Sequence, residues 1–585
     1  MSASASLSSD RYSADEASLR VGVRRFVGMR ALICVLCFEM LAGVAVHLLT
    51  GEDTISGRQT VLLSLPGLPD CALHTALRMA TVLVLSVMFS VFCAIVTDRR
   101  ERFRENILSF LDESRAVPVC GFLVFAAPLF SMLVPGHGIA GECLTGAAVF
   151  PVLAGPMTAA LLRSGGRGSG ELDLVARGFR LTGWQRFWRL DMPVAIPVLV
   201  KGAVEAMPFA WLALLWVEIF VWQRAAFVAP GLGACVAAAA ATGIVWPVVL
   251  AALIMMLIVI GYDWLVFRPL LSWSARFQIE GDGAGLSGLP SEPPVLRFLR
   301  RAPVVGRLGE AALYAVRRLG TLRLGRAPVA VPSSETAGRP YLAETVALAG
   351  LCATTLAVCW QPLIFHIGPD EVVRVAALGF ATLLRVLLMV LLASVIWLFP
   401  GMWLGRRRAE AAECVSLMRL LAVFPTVMLF PLMAGLITGL RLSSGFWLMP
   451  LVMIGPQWFL AAKLTGGVAT FPRGLFEAAR AYDIRGWLWW RSVVLPGIGR
   501  GWLAGARMAF FGAWNLAIAA EFVRWGDVRL ISAGLGAYIA EAMEAGDSVR
   551  AAFGVTVMTA FAALLSALVW EPLAAWVRRR TMGAE

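Results

Sequence analysis

Lysine is nearly absent from this sequence of 585 residues. The two lysines are Lys201 and Lys463, and neither stands in the Gly-Lys-Ser or Gly-Lys-Thr sequence that a phosphate-binding P-loop needs. The four histidines are far apart, and no grouping of Ser, His, Cys and Asp has the spacing of a metal site or a catalytic triad. We therefore expect no metal site, no cofactor and no enzymatic activity in this chain.

Charged residues are also scarce, at 15% of the chain, whereas hydrophobic residues make up 59%. The mean hydropathy of +0.77 excludes a soluble globular protein and indicates a polytopic membrane protein. The first apolar run is too long for a signal-peptide core and lacks a cleavage site, so we expect it to remain as a transmembrane helix. The twelve predicted spans lie near 27–49, 75–97, 116–135, 141–163, 195–223, 243–266, 342–365, 383–403, 417–439, 445–467, 499–523 and 550–570.

Arginine supplies nearly all of the formal net charge of +13. Arginine clusters follow the second and eighth predicted spans and close the chain, at 99–104, 406–408 and 578–580. With the N-terminus inside the cell, all three clusters are cytoplasmic, as the positive-inside rule requires. We therefore interpret the charge as membrane anchoring, expect both termini in the cytoplasm and expect no nucleic-acid partner.

The sequence contains an internal duplication. Over about a hundred residues, adding 303 to a number in the first half gives the matching residue in the second, so that Trp211 matches Trp514. Further upstream the offset is 307, and Arg78 matches Arg385. This register predicts an all-α membrane protein built from two tandem six-helix units. The predicted division is a tail at 1–26, a first unit at 27–277, a basic cytoplasmic linker at 278–340, a second unit at 341–577 and a tail at 578–585.

One duplicated segment is polar and lies between apolar runs. In its second copy, residues 471–496, we predict a short amphipathic helix. Its apolar face, at i, i+3, i+4 and i+7, holds Leu475, Ala478, Ala479 and Tyr482. On the opposite face, Glu477 is spaced to pair with Arg473 and Arg480. Such a helix has too little core to stand alone, so we expect its apolar face to bind a partner.

The first copy of this segment, at about 171–193, differs at the acidic position. Leu174 stands where the second copy has Glu477, and the acid lies one residue earlier at Asp173. The apolar face is kept by Leu172, Val175, Ala176 and Phe179. We expect both segments to dock a partner, but not identically.

Glu477-Ala478-Ala479, followed by Leu495-Pro496 at the end of a twenty-residue block, resembles the EAA loop of the permeases of binding-protein-dependent ABC importers. In that family the loop forms a coupling helix that sits in a cleft of the cytoplasmic ATPase. The seventh position of the block is usually Gly in the family and is Asp483 here. The resemblance implies ATPase coupling by Glu477, Ala478, Ala479, Tyr482, Gly486, Pro496, Asp173, Val175, Ala176, Phe179, Gly183 and Pro193.

Further stretches are similar to the duplicated permeases of nitrate, sulfonate and taurine importers. They are 512–515, 519–523 and 534–538 in the second half and 117–119 and 121–123 in the first. This resemblance implies a fused permease in a bacterial inner membrane with a small anion as its solute. The implied partners are two cytoplasmic ABC ATPase subunits, a periplasmic solute-binding protein and the lipid bilayer.

Polar residues inside the predicted spans have more than one interpretation. Candidates for the solute pathway or its periplasmic rim are Glu218, Glu521, Trp514, Asn515, Arg78 and Arg385. Glu218 and Glu521 follow their loop prolines by about 25 residues, or about 37 Å of helix, which predicts a position near the periplasmic face. Each glutamate could be interfacial, with Glu521 paired to Arg524, or form part of a gate. The arginines could snorkel or attract an anion, and Asn515 could bond a neighbouring helix or contact solute.

A twelve-helix secondary transporter is the alternative, because two parallel repeats also occur in that class. It would require coupling-ion or proton sites at mid-membrane, and the sequence shows no clear pair of acidic residues there. The repeated cytoplasmic segment would also have no role in such a transporter, which favours the importer permease.

Overall fold

The computed structural model describes residues 29, 32–37, 40, 67–97, 101–119, 123, 126, 130, 137–164, 178–222, 230–277, 314, 318, 321, 367–470 and 473–582. Within these ranges the chain is almost entirely helical, and the predicted all-α polytopic membrane fold is confirmed. Helices predominate because lipid offers the backbone no hydrogen-bond partner, so each spanning segment must satisfy its own N–H and C=O groups.

The first half contributes seven labelled helices. They are α1 (Leu68–Thr97), α2 (Glu101–Glu113), α3 (His137–Ser164), α4 (Met192–Trp222), α5 (Leu232–Thr242), α6 (Val245–Tyr262) and α7 (Arg268–Ser274). Single helical or 3₁₀ turns lie at Ser114–Ala116, Gly183–Arg186 and Ala275–Phe277.

The second half contributes nine labelled helices and one hairpin. They are α8 (Pro369–Arg406), α9 (Arg408–Val423), α10 (Phe430–Gly439), α11 (Gln457–Ala469), α12 (Arg473–Ala481), α13 (Leu495–Glu521), β1 (Phe522–Trp525), β2 (Val528–Ile531), α14 (Leu535–Ala545), α15 (Ser548–Leu565) and α16 (Glu571–Met582). Short turns lie at Thr426–Leu429, Ser444–Trp447, Pro450–Met453 and Gly486–Trp489.

Seven helices of the described residues are long and apolar enough to cross a membrane, and two bent helix pairs raise the number to nine. One bent pair joins Glu410–Val423 to Thr426–Gly439 at 67°, and the other joins Ser444–Met453 to Gln457–Ala469 at 41°. These nine coincide with nine of the predicted spans. The other three, near 27–49, 116–135 and 342–365, lie wholly or mostly outside the described residues.

The two halves repeat even their helix irregularities. A π-helical turn occupies Phe187–Asp191 before α4, and its counterpart at Trp490–Val494 precedes α13. A second pair lies at Asp263–Phe267 and Ser566–Trp570. Each pair differs by the offset of 303. Because π turns are rare and local, this agreement supports a duplication of the whole unit.

Each half places a segment against the other. In the second half, α9 and the turn Thr426–Leu429 pack against α4 and α6 of the first half. In the first half, the turn Ser114–Ala116, which matches residues 421–423 at the end of α9 in the 307 register, packs against α15 of the second half. This exchange relates the halves by a pseudo-two-fold arrangement and makes the core continuous between them.

Helices α4 and α11 carry direct side-chain contacts across the halves. The Lys463 Nζ lies 3.1 Å from the Glu205 carboxylate. On the next turn of α4, the Phe209 ring stacks on Phe459 with a centroid separation of 5.3 Å and an interplanar angle of 5°. One ion pair and one stacked aromatic pair therefore join α4 of the first half to α11 of the second.

The β1–β2 hairpin follows α13 and was not predicted from the sequence. Its strands pair antiparallel, from Phe522 opposite Ile531 to Trp525 opposite Val528, and its turn holds Gly526 at φ 58°. The Gly526 N–H donates to the Ala240 carbonyl at the end of α5, over 2.7 Å. The hairpin therefore belongs to the second half but is bonded to the first.

Candidate functional site

The second polar loop forms the short helix α12, as predicted. Its end is a Schellman motif, in which the Ile484 N–H donates to the Ala479 carbonyl over 2.9 Å and the Asp483 N–H donates to Arg480 over 3.1 Å. This motif needs a left-handed residue, and Asp483 has φ 49°. Asp483 is also the position where the EAA loop that this segment resembles usually has Gly, and Asp can occupy it because a short polar side chain tolerates that conformation.

The first polar loop makes the same turn. Arg180 has φ 47° at the position that matches Asp483. Immediately afterwards, Thr182 caps the next helical turn: its hydroxyl accepts from the Gln185 N–H, and the Gln185 side chain accepts from the Thr182 N–H. The turn geometry is therefore repeated although the residues at the turn differ.

An aromatic side chain projects from each loop just before this turn. Phe179 is 76% exposed, and its counterpart Tyr482 is 81% exposed. The second loop also exposes Trp487 (74%) and Leu488 (57%). Rings as exposed as these contribute little to the packing of this chain. The matched pair presents two equivalent apolar contact points on the surface.

Both loops lead directly into long helices. Gly183 and Gly486 begin the turns Gly183–Arg186 and Gly486–Trp489, and π turns connect these to α4 and α13. Pro193 and Pro496 lie at the second positions of α4 and α13, directly after those π turns, so the absent N–H of each proline falls at an irregular turn of the helix. A displacement of a loop would thus be transmitted along a continuous helix of 38 residues in the first half or 36 in the second.

A buried polar cluster of the first half joins α1, α4 and the start of α5. The Glu218 carboxylate is 0% exposed and accepts from Thr75 Oγ1 (2.9 Å), Arg78 Nη1 (2.8 Å) and the Gly233 N–H (2.9 Å). The Thr75 hydroxyl in turn accepts from the Leu232 N–H over 3.0 Å. The carboxylate therefore pairs with a cation and ties a helix N-terminus to two spanning helices.

The second half repeats the cluster. The Glu521 carboxylate is 1% exposed and accepts from Thr382 Oγ1 (2.9 Å), from Arg385 Nη1 and from the Gly536 N–H (2.7 Å). The Leu535 N–H donates to Thr382 Oγ1 over 2.9 Å. The same donors and acceptors thus recur at equivalent positions of both halves.

The two clusters differ in the second partner of the arginine. In the first half, Arg78 is also held by Glu142, which accepts from Nε over 2.5 Å and from Nη2. In the second half, Arg385 Nη2 donates to the Ala533 carbonyl over 2.9 Å, and the buried Nε has no hydrogen-bond partner in the part of the chain that the structure describes. One guanidinium is therefore held between two carboxylates, whereas the other is paired with one.

A small pocket of about 20 Å³, room for about one water molecule, lies between the halves. It is lined by Val119, Phe209, Leu212, Ala213, Trp216, Asn515, Leu516 and Ala519. Asn515 is the one amide side chain of this lining, beside the indole N–H of Trp216. The Asn515 Oδ1 accepts from the Val119 N–H over 2.9 Å, and its Nδ2 donates to the Phe511 carbonyl. Asn515 thus contacts both the pocket and the other half.

The family model described as the inner membrane component of binding-protein-dependent transport systems matches the chain twice, at residues 86–268 and 398–583. These matches cover well over half of the sequence and follow the two halves of the fold. The chain belongs to this family. It is a permease component of an ABC importer, in duplicated form. The comparisons with curated proteins and with solved structures gave no match.

One predicted coupling residue of this permease, Ala479, is placed differently from expectation, and the coupling role of all of them stays a prediction. Ala478 and Tyr482 are exposed, but Ala479, predicted on the same docking face, is 3% exposed and packs within the permease itself. Glu477 is exposed, and the described ion pairs do not include its predicted pair with Arg480. The predicted coupling residues Asp173, Val175 and Ala176, together with the side chains of Arg473 and Leu475, lie outside the part of the chain that the structure describes.

The predicted interfacial pair of Glu521 with Arg524 is wrong. Glu521 pairs with Arg385, and Arg524 instead lies 3.8 Å from the Glu544 carboxylate. The sequence placed Glu521 and Arg524 three residues apart on one helix, but the permease helix ends at Glu521 and the strand β1 directs Arg524 elsewhere.

The remaining pathway candidates also have defined positions. Trp514 is 0% exposed and stacks on Phe510, so it belongs to the core and not to the pocket lining. Its counterpart Trp211 is likewise 0% exposed, in edge contact with Tyr262. The four charged candidates form the two buried clusters. A role of Asn515 in the pathway stays a prediction.

Sequence reasoning missed two kinds of residue in these clusters. The repeat places Thr75 three residues before Arg78 and Thr382 three residues before Arg385. It does not show that each threonine donates a hydrogen bond to a glutamate carboxylate. Glu142 gave no repeat signal, because Gly445 stands at the matching position in the 303 register. A carboxylate present in one half alone could be found only from the tertiary structure.

Proposed function

We propose that this permease is the complete membrane part of an importer, and that each of its two polar loops binds one ATPase subunit. The observation that carries the proposal is the matched pair of exposed rings, Phe179 and Tyr482, each followed by a left-handed residue and a helix that enters the membrane. The repetition of one apolar contact at two equivalent positions suits a partner that is itself present twice.

Transmission to the membrane follows from the same geometry. Each loop is continuous with α4 or α13, and these two helices line the pocket between the halves. When the ATPase subunits approach one another, the loops would move with them and tilt α4 against α13. The pocket would then open alternately to either side, with a periplasmic binding protein delivering the solute.

A small anion is the proposed solute, as the resemblance to anion importers implies. On α13, Arg507, Phe511 and the pocket residue Asn515 follow at four-residue spacing, and the Arg507 guanidinium lies 5.8 Å from the centre of the Phe511 ring. On α4, the exposed Lys201 is followed by Glu205, which is already paired with Lys463. Arg507, Lys201 and Lys463 oppose the single carboxylate of Glu205, and Arg115 and Glu113, which interact electrostatically with Arg507, add one charge of each sign. The excess of positive charge favours an anion.

Replacing Tyr482 by Ala should weaken ATPase binding to the second loop by on the order of 10- to 100-fold, because buried aromatic anchors dominate interfaces of this kind. Phe179→Ala should have a similar effect at the first loop. Binding of the purified ATPase to permease in nanodiscs measures both effects.

Tyr482→Phe keeps the ring and should bind normally, and Tyr314→Ala removes an exposed ring of the linker and serves as the matched control. Unchanged affinity in both loop variants would exclude these rings from the interface.

Replacing Arg507 by Gln should raise the KM for an anionic solute by roughly tenfold, through the loss of one cation near the pathway. The measurement is uptake into proteoliposomes that contain the permease, its ATPase and its binding protein. As a control, Arg374→Gln removes an exposed arginine near the N-terminal end of α8 and should leave the KM unchanged. A KM that does not respond to Arg507→Gln would contradict the anion proposal and leave the ATPase docking proposal untouched.

A further inference from the structure

Two cysteine side chains meet in the first half, next to the buried polar cluster. Cys71 lies in the first turn of α1 and Cys235 in the first turn of α5, 164 residues apart in the sequence. Their Sγ atoms are 3.0 Å apart, and the residues are 6% and 4% exposed. The two thiols therefore face each other in a closed, packed environment.

The helices that carry these cysteines are held together independently of them. One turn further along α1, Thr75 Oγ1 accepts from the Leu232 N–H at the start of α5. A disulfide has an S–S distance of about 2.05 Å, so each sulfur would have to move by only about half an ångström. Rotation about the side-chain torsions of the two cysteines supplies a movement of this size.

The location of the pair favours oxidation. The arginine cluster at 99–104 lies beyond the opposite end of α1, and we assign that end to the cytoplasm. The Cys71 end of α1 then faces the periplasm, where disulfides form and persist. The other half offers a contrast, because the matching positions hold Leu378 and Tyr538.

We propose that Cys71 and Cys235 form a disulfide that fastens α5 to α1 in the first half alone. This goes beyond the proposed transport function, which requires no covalent bond. The disulfide would fix one of the two short helices whose N-termini bind the buried glutamates. Its counterpart α14 would remain attached by hydrogen bonds and packing only.

The oxidant is a periplasmic dithiol–disulfide protein. One cysteine thiolate attacks the oxidant's disulfide, forms a mixed disulfide and releases the first oxidant thiol. The second cysteine thiolate then attacks the permease sulfur of that mixed disulfide and releases the second oxidant thiol. The permease loses two protons and two electrons, and the oxidant gains both. Because the folded pair is nearly inaccessible, the exchange takes place before α5 packs against α1.

The test is made on the full chain and requires neither transport nor ATPase. Cells are lysed in denaturant with N-ethylmaleimide, the permease is purified without reductant, and its peptides are identified by mass spectrometry. We expect the Cys71 peptide and the Cys235 peptide to be found linked, without N-ethylmaleimide on either cysteine. The mass of the linked pair should be two hydrogens below the sum of the two reduced peptides. Reduction should separate them into two peptides that can then be alkylated. Cys93, on the same helix α1 and 8% exposed, is the control and should be alkylated from the start.

A second measurement addresses stability. Reduction should lower the unfolding temperature of the wild type by a few degrees, since a disulfide restricts the unfolded chain. A variant with Cys71→Leu and Cys235→Tyr, the pair found in the other half, should not respond to reductant. Complete alkylation of both cysteines in permease from cells with an intact periplasmic oxidant would overturn the proposal.

Discussion

Replacing Glu521 by Gln should strongly lower the stability and the yield of folded permease, whereas Glu218→Gln should lower them much less. Gln keeps the size of the side chain but removes the charge that neutralises a buried guanidinium. Arg385 has no second carboxylate among the described residues and would become an unpaired cation. Arg78 would keep Glu142, which bonds two of its nitrogens. Breaking a buried pair from one side destabilises a protein by about 3–5 kcal/mol, and we expect that magnitude for Glu521→Gln only.

The measurement is the thermal unfolding of permease in detergent, with the yield of monodisperse protein as a second readout. Glu544→Gln is the matched control, because Glu544 is 35% exposed and pairs with the partly exposed Arg524 and Arg529. Similar decreases in the unfolding temperature of Glu218→Gln and Glu521→Gln would show that Glu142 does not compensate for the lost charge of Glu218. Normal stability of both variants would mean that the clusters contribute little to the fold.

Gly534→Ala should be comparably damaging although it adds a single methyl group. Gly534 has φ −179°, an extended conformation that any residue adopts, so its backbone does not require glycine. The reason is proximity: an added Cβ would collide with the Glu521 carboxylate, as an added Cβ at Gly231 would with Glu218. To make room, α14 would have to move and lose the hydrogen bond from the Gly536 N–H.

Overpacking alone typically costs about 1–3 kcal/mol, and a lost hydrogen bond to a charged group adds about 1.5–3 kcal/mol. The same thermal unfolding assay applies. Gly261→Ala in α6 is the control, since no atom lies within 4 Å of the added methyl, and it should be neutral or slightly stabilising. If Gly534→Ala unfolds at the temperature of Gly261→Ala, the close approach of carboxylate and backbone is not a stabilising feature.

The large features of this fold could be predicted because they depend on periodic signals. Apolar runs of more than twenty residues located the seven candidate spans and the two bent helix pairs, and the constant offset that relates Trp211 to Trp514 revealed the duplication. The polar loop was predicted as a helix from the spacing of four apolar residues, and α12 confirms that helix. The C-terminal end of α12 was less predictable. The left-handed backbone conformation of Asp483 depends on local backbone hydrogen bonds, which amphipathic periodicity does not reveal.

The buried clusters could not be predicted for a physical reason. A helical repeat gives the distance of Glu218 along its own helix but not the identity of the side chain opposite it. The length of the helix suggested an interfacial glutamate, whereas Arg78 from α1 and the N–H groups of α5 allow full burial. For the same reason Ala479 was assigned to an external face, although it packs against its own chain.

The central claim is that one chain provides two equivalent ATPase docking sites. Native mass spectrometry of the complex purified from its own membranes tests this claim most directly. We predict one 63.0 kDa permease chain with two ATPase subunits, and the loss of one subunit in either Tyr482→Ala or Phe179→Ala. A complex with a single ATPase subunit would contradict the claim, as would a permease that purifies alone and transports solute without ATP.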